Sequence, residues 1–127
     1  MNDWYFLLNK PPLTPQAWIF SPVWAFLYIT IIISFVVYAS KLTLKQKKYG
    51  YIFFWLQILF NLLWTPAFFM LKSPLSGLVI ILILDILVIL TITEFYRISK
   101  FAASLLIPYL LWILFATYLN IGFVVLN

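Results

Sequence analysis

Gln57, Asn61 and Trp64 stand at i, i+4 and i+7 inside an otherwise apolar stretch, "QILFNLLWTP". That spacing places them on one face of a helix. Two amides there can hold a ligand's carbonyl or carboxylate, and an indole can stack on a flat ring. The same groups also serve as hydrogen-bonding glue between membrane helices, so both roles are open. Further on, Pro108, Trp112, Ala116 and Asn120 recur at i+4, a stripe in which the small Ala116 also permits close helix packing. Trp24 and Tyr28 form another i, i+4 pair. Three helices can thus each turn a Trp inward: Trp24, Trp64 and Trp112. An aromatic-lined pocket is a common small-molecule site, and an aromatic stripe equally often is core. Asp85 lies midway along another apolar run, where a carboxylate is costly; it is either a proton-coupling group or a paired structural one. Pro66 is expected to free a backbone carbonyl near Leu62 and to kink the helix around a cavity.

No catalytic set accompanies these residues. The sequence holds no paired carboxylates, nucleophile elbow or phosphate loop. Cys and His are both absent, which excludes thiol chemistry, disulfides and the usual zinc, copper and haem-iron ligation, so no metal site is expected. No obligatory cofactor is expected either. Any chemistry would have to come from the Trp residues or a bound molecule.

The elements that position these side chains follow from composition. The chain has 127 residues, 66% hydrophobic and 9% charged, with a mean hydropathy of +1.11. A soluble domain carries about 25% charged residues, so the expected solvent is a bilayer and the expected fold is an all-α integral membrane protein. One domain, 1–127, is expected. Four apolar runs predict transmembrane helices at about 17–40, 48–71, 74–96 and 100–126, with 1–16 as an external loop. Short connections force an up-down bundle. Ser73-Pro74 reads as an N-cap and first-turn proline. Glu94 and Arg97 read as a surface ion pair. Tyr49, Tyr51, Tyr96 and Phe101, near run ends, fit an interfacial aromatic belt.

The formal charge of +5 reads as topology rather than nucleic-acid binding. Six of eight basic residues, Lys41, Lys45, Lys47, Lys48, Arg97 and Lys100, fill the first and third connections. Lys10 and Lys72 lie on the other side. The loops 41–48 and 97–100 are therefore expected in the cytoplasm and both termini outside.

Three motifs resemble the TspO/MBR family, also called tryptophan-rich sensory proteins, translocator proteins or peripheral-type benzodiazepine receptors. They are "DWYFLLNKPPLTPQAWIFSPVWAFLY", "QILFNLLWTPAFF" and "PYLLWILFATYLN", in family order from Trp4 to Asn120. The family has five helices. The resemblance implies that this chain supplies four, beginning in the loop after the family's first. It also implies a pocket that binds porphyrins (tetrapyrroles) and benzodiazepine-type ligands, contacted here by Tyr5, Trp24, Asn61, Trp64, Trp112 and Ala116. It implies light-dependent porphyrin breakdown in some members, through the equivalents of Trp24 and Trp112, and a homodimer through residues about 49–71. Two departures stand out. The family's loop W-x-P-P is "LTPQ" here, with Leu13 and Gln16, and no basic residue follows Asn120, so specific sterol recognition is not expected.

The function expected from these features is a receptor, sensor or carrier for hydrophobic ligands, in the bacterial plasma membrane. A Trp-dependent porphyrin-degrading enzyme is one alternative. A small proton-coupled drug exporter using Asp85 is another.

Overall fold

The computed structural model describes residues 19–67 and 73–126. They form five helical segments: α1 (Phe20–Ser40), α2 (Lys48–Thr65), α3 (Pro74–Ile98), α4 (Lys100–Leu105) and α5 (Ile107–Leu126). There is no strand among the described residues. The sequence-derived loop 1–16 and the stretch 68–71 of the second run lie outside them.

Among the described residues, three spans are long and apolar enough to cross a bilayer: α1, α3, and α4 with α5 taken as Lys100–Leu126. The 18 residues of α2 rise about 27 Å at ~1.5 Å per residue, close to the hydrocarbon thickness. Gln57 and Asn61 dilute its apolar character. The chain is an integral membrane protein, and its surface agrees. Large apolar side chains such as Ile32, Leu62, Ile86 and Leu111 point outward, while Ser34, Gln57, Asn61, Asp85, Thr91 and Asn120 are buried. Lipid cannot satisfy polar groups, so they must turn inward.

Helix ends follow local chemistry. Ser73 caps α3 by accepting from Ser76 N at 3.2 Å, with Pro74 in the first turn, as the Ser-Pro pair predicts. Ser99 ends α3 and caps α4, accepting from Ala102 N at 3.2 Å. Two expectations change. The run expected as one helix over 100–126 is interrupted at Leu106: Pro108 has no N–H to offer the Ser104 carbonyl. Pro66 stands at the end of regular α2. Regular α2 ends at Thr65, and Pro66 and Ala67 continue in a wider turn. α3 also runs to Ile98, two residues past the bound at 96.

α2 packs most extensively on α3, which in turn packs on α5, while α1 lies against α4 and α5. The core gathers one stripe from each span: Leu27, Ile31 and Tyr38 of α1, Ile81, Leu84, Val88 and Phe95 of α3, and Tyr109, Ile113 and Ala116 of α5. At the end nearest the first connection, Tyr38 stacks on Phe95 with centroids 4.0 Å apart. Tyr38 also donates to Lys47 O at 3.0 Å. Gly50 lies against this phenol: a Cβ there would stand 2.1 Å from Tyr38 Oη.

Candidate ligand-binding site

The face carrying Gln57 and Asn61 meets α1 and α5. Tyr28 Oη donates to Asn61 Oδ1. Asn61 Nδ2 donates to Tyr109 Oη at 2.9 Å, and Tyr109 Oη donates to Gln57 Oε1 at 2.7 Å. A chain of four polar side chains thus joins three helices inside the bundle. Each group belongs there because its ring or stem is apolar and its tip finds a partner.

Aromatic rings cover this chain. Trp24 lies 5.7 Å from Tyr28, 6.3 Å from Tyr109 and 6.5 Å from Trp112, centroid to centroid. The Trp24 and Trp112 planes are nearly perpendicular, at 86°, the edge-to-face geometry that ring quadrupoles favour. Phe20 and Phe115 flank Trp112 at 5.8 and 5.6 Å. Two buried donors have no hydrogen-bond partner among the described residues: Trp112 Nε1 and Gln57 Nε2. An unpaired buried donor is rare and costly, and each can serve an acceptor on a bound molecule.

A second polar contact lies further along α2 and α5. Trp64 Nε1 donates to Asn120 Oδ1 at 3.0 Å, and Asn120 Nδ2 donates to the Pro74 carbonyl at 2.7 Å. The pairings place α2 and α5 parallel, with Gln57 and Asn61 beside Tyr109 and Trp64 beside Asn120. Ala116 is buried on α5 between the Trp112 and Asn120 levels. Asp85 is buried on α3, its Oδ2 accepting from Thr117 Oγ1 at 2.7 Å. That hydroxyl also lies 2.7 Å from the Ile113 carbonyl, so its single proton serves two acceptors. Asp85 Oδ1 has no partner among the described residues.

The structure therefore brings Trp24, Asn61 and Trp112 into one cluster. Trp64 sits beside it in a separate contact, and Ala116 lies on the adjoining wall. Tyr5 lies outside the described residues. The i+4 stripe from Pro108 to Asn120 does not hold as one face, because Pro108 is exposed. Four residues turn ~400°, so each i+4 step drifts about 40°, and three steps carry Pro108 roughly 120° away from Asn120. Tyr109, central to the hydrogen-bond chain, was not picked out by spacing. Two amides on one helix face needed partners, and the tyrosine beside Pro108 was a signal for one. Gln57 now has a definite bond.

A family model described as the TspO/MBR family matches residues 1–126. The "Tryptophan-rich protein TspO" of Archaeoglobus fulgidus is 44% identical over 128 residues, covering 100% of this chain and 82% of the relative. The "Tryptophan-rich protein TspO" of Chlorobaculum tepidum is 40% identical over 127 residues, covering 98% of this chain and 80% of that one. The human "Translocator protein" is 34% identical over 125 residues, covering 92% and 70%.

Proposed function

This chain belongs to the TspO/MBR family, and from that premise we propose that it is a membrane receptor or sensor, or a carrier, for flat hydrophobic ligands. Porphyrins and benzodiazepine-type molecules are the proposed classes. The observation that carries this is the cluster of Trp24, Tyr28, Tyr109 and Trp112 around Asn61 and Gln57, with two buried donors that have no partner among the described residues. Rings supply stacking surface, amides supply orientation, and Trp112 Nε1 and Gln57 Nε2 supply donors for a carbonyl or carboxylate. Trp64 and Ala116 extend the wall, and Tyr5 joins it on the family pattern. Porphyrin is a ligand in this scheme, held by stacking and polar contacts.

The test is titration of the purified protein with protoporphyrin, followed by Trp quenching and the Soret band. Saturable binding is expected, weakened about tenfold by Asn61→Leu, the effect of ~1.4 kcal/mol. Trp112→Leu should weaken it as well. Binding that survives unchanged in both folded variants refutes the site. The Trp24–Trp112 ring contact favours a second activity, photochemical breakdown of bound porphyrin. Illumination should then yield a product faster with wild type than with Trp112→Phe; equal bleaching removes that reading.

The outward face of α2, with Ile52, Leu59 and Leu62 exposed, is the proposed homodimer contact. A single cysteine placed in turn at Ile52, Leu59 and Leu62 in this cysteine-free chain should cross-link two copies from at least one position. Its failure at all three positions would refute the dimer. The basic connections 41–48 and 97–100 are proposed to face the cytoplasm of a bacterial plasma membrane, with the chain termini outside.

A further inference from the structure

At the end of the bundle that carries the basic connections, an open cavity of about 590 Å³ is lined by Lys45, Tyr96, Arg97, Ile98 and Lys100. It lies apart from the aromatic cluster and none of the preceding function uses it. Three cations from two connections converge on it although like charges repel. Part of that repulsion is met locally. Lys45 Nζ donates to the Arg97 carbonyl at 3.0 Å, Lys100 Nζ lies 5.7 Å over the Tyr96 ring, and Arg97 Nη1 pairs with Glu94 Oε1 at 3.0 Å. Each cation keeps donors in reserve. An ammonium has three N–H groups and a guanidinium five, and the single bonds here use one each on Lys45 and Arg97. One carboxylate against three cations leaves the cavity positive.

The surroundings indicate what anion fits. The cavity sits where α3 meets α4, at the ends of two membrane spans, which is the depth of lipid headgroups. Below it, Ile86, Leu90 and Thr93 are exposed in line with Arg97 on one stripe of α3, with Ile89 and Tyr96 beside them. An acyl chain can follow that stripe while its phosphate rests among the cations. Charge-assisted bonds to phosphate are among the stronger polar contacts.

We propose that this cavity is a phosphate-binding site occupied by the headgroup of an anionic phospholipid. A zwitterionic headgroup is a poorer ligand there, because its own ammonium meets three cations. The site differs from a diffuse topology signal in being local: Lys41 and Lys48 carry equal charge on the same side but do not line it.

Native mass spectrometry of the intact protein, with dioleoyl phosphatidylglycerol competing against dioleoyl phosphatidylcholine, tests this. Preferential retention of phosphatidylglycerol is expected. Lys45→Gln with Lys100→Gln should cut its apparent affinity on the order of a hundredfold, from ~1.5 kcal/mol per lost charge-assisted hydrogen bond to the phosphate. Lys45→Arg with Lys100→Arg should restore it. Lys41→Gln with Lys48→Gln should change it less than about threefold, because those residues do not line the cavity and reach the phosphate only through solvent, where salt screens them. Circular dichroism checks that each variant is folded. Equal losses in both Gln pairs, or no preference between the lipids, overturn the proposal. A third arm uses inorganic phosphate. If millimolar phosphate displaces the lipid and binds the protein comparably in its absence, the ligand is soluble phosphate and the lipid assignment fails.

Discussion

Removing one oxygen atom, by Tyr109→Phe, should destabilise the bundle by about 1 to 3 kcal/mol. Tyr109 is 0% exposed, and its hydroxyl both donates to Gln57 Oε1 at 2.7 Å and accepts from Asn61 Nδ2 at 2.9 Å. Phenylalanine keeps the ring and its edge contact with Trp24, so apolar packing changes little. Two hydrogen bonds are lost. Between membrane helices a bond of this type averages about 0.6 kcal/mol and reaches about 1.7, which sets the range. The upper part is favoured because Gln57 Nε2 has no partner among the described residues: among them the variant leaves that side chain with neither end bonded, and unpaired buried groups are the expensive case. Unfolding in dodecyl sulfate, followed by far-ultraviolet circular dichroism, reads the change. Gln57→Leu combined with Tyr109→Phe should cost less than the two single changes added, because removing both partners avoids the orphan. A Tyr109→Phe midpoint indistinguishable from wild type, or strict additivity in the double variant, would refute the reasoning that this network ties α2 to α5.

Three other outcomes are expected. Gly50→Ala should cost about 1–3 kcal/mol through overpacking, since its Cβ would meet Tyr38 Oη at 2.1 Å and Cζ at 2.6 Å and the ring is pinned against Phe95. A thermal melt of the detergent-solubilised protein would show it, and unchanged stability would mean the ring can move aside. Asn120→Ala removes the bonds to Trp64 Nε1 and the Pro74 carbonyl and should cost about 1–3 kcal/mol on the same per-bond scale, with a change in Trp64 emission in a variant lacking the other tryptophans. Asp85→Asn keeps an oxygen acceptor for Thr117 but puts an amide donor where Oδ1 meets no partner among the described residues, so stability should fall by about 1–3 kcal/mol while porphyrin binding persists. Proton-driven efflux in vesicles, present in wild type and lost in this variant, would instead support the exporter reading, and its absence from both removes it.

The sequence by itself determined the solvent, the class of fold and which faces were unusual. Long apolar runs leave only a bilayer-spanning helix, because backbone groups in lipid must bond within their own segment. The i, i+4, i+7 spacing of Gln57, Asn61 and Trp64 stays within about 60° of arc, so it predicted a shared face from one helix's geometry alone. The three motifs pointed to the family that the comparisons then showed. What crosses between helices was not legible. Whether Asn61 meets Tyr28 and Tyr109, and Trp64 meets Asn120, depends on each helix's rotation and axial offset, which only packing of the whole bundle sets. The same holds for the basic cavity. Lys45 and Arg97 are separated by two membrane crossings in sequence, and they meet because α2 and α3 return the chain to the same surface. Pro108 shows the limit from the other direction: a strict i+4 pattern drifts around the helix, and the tertiary structure left that residue facing outward.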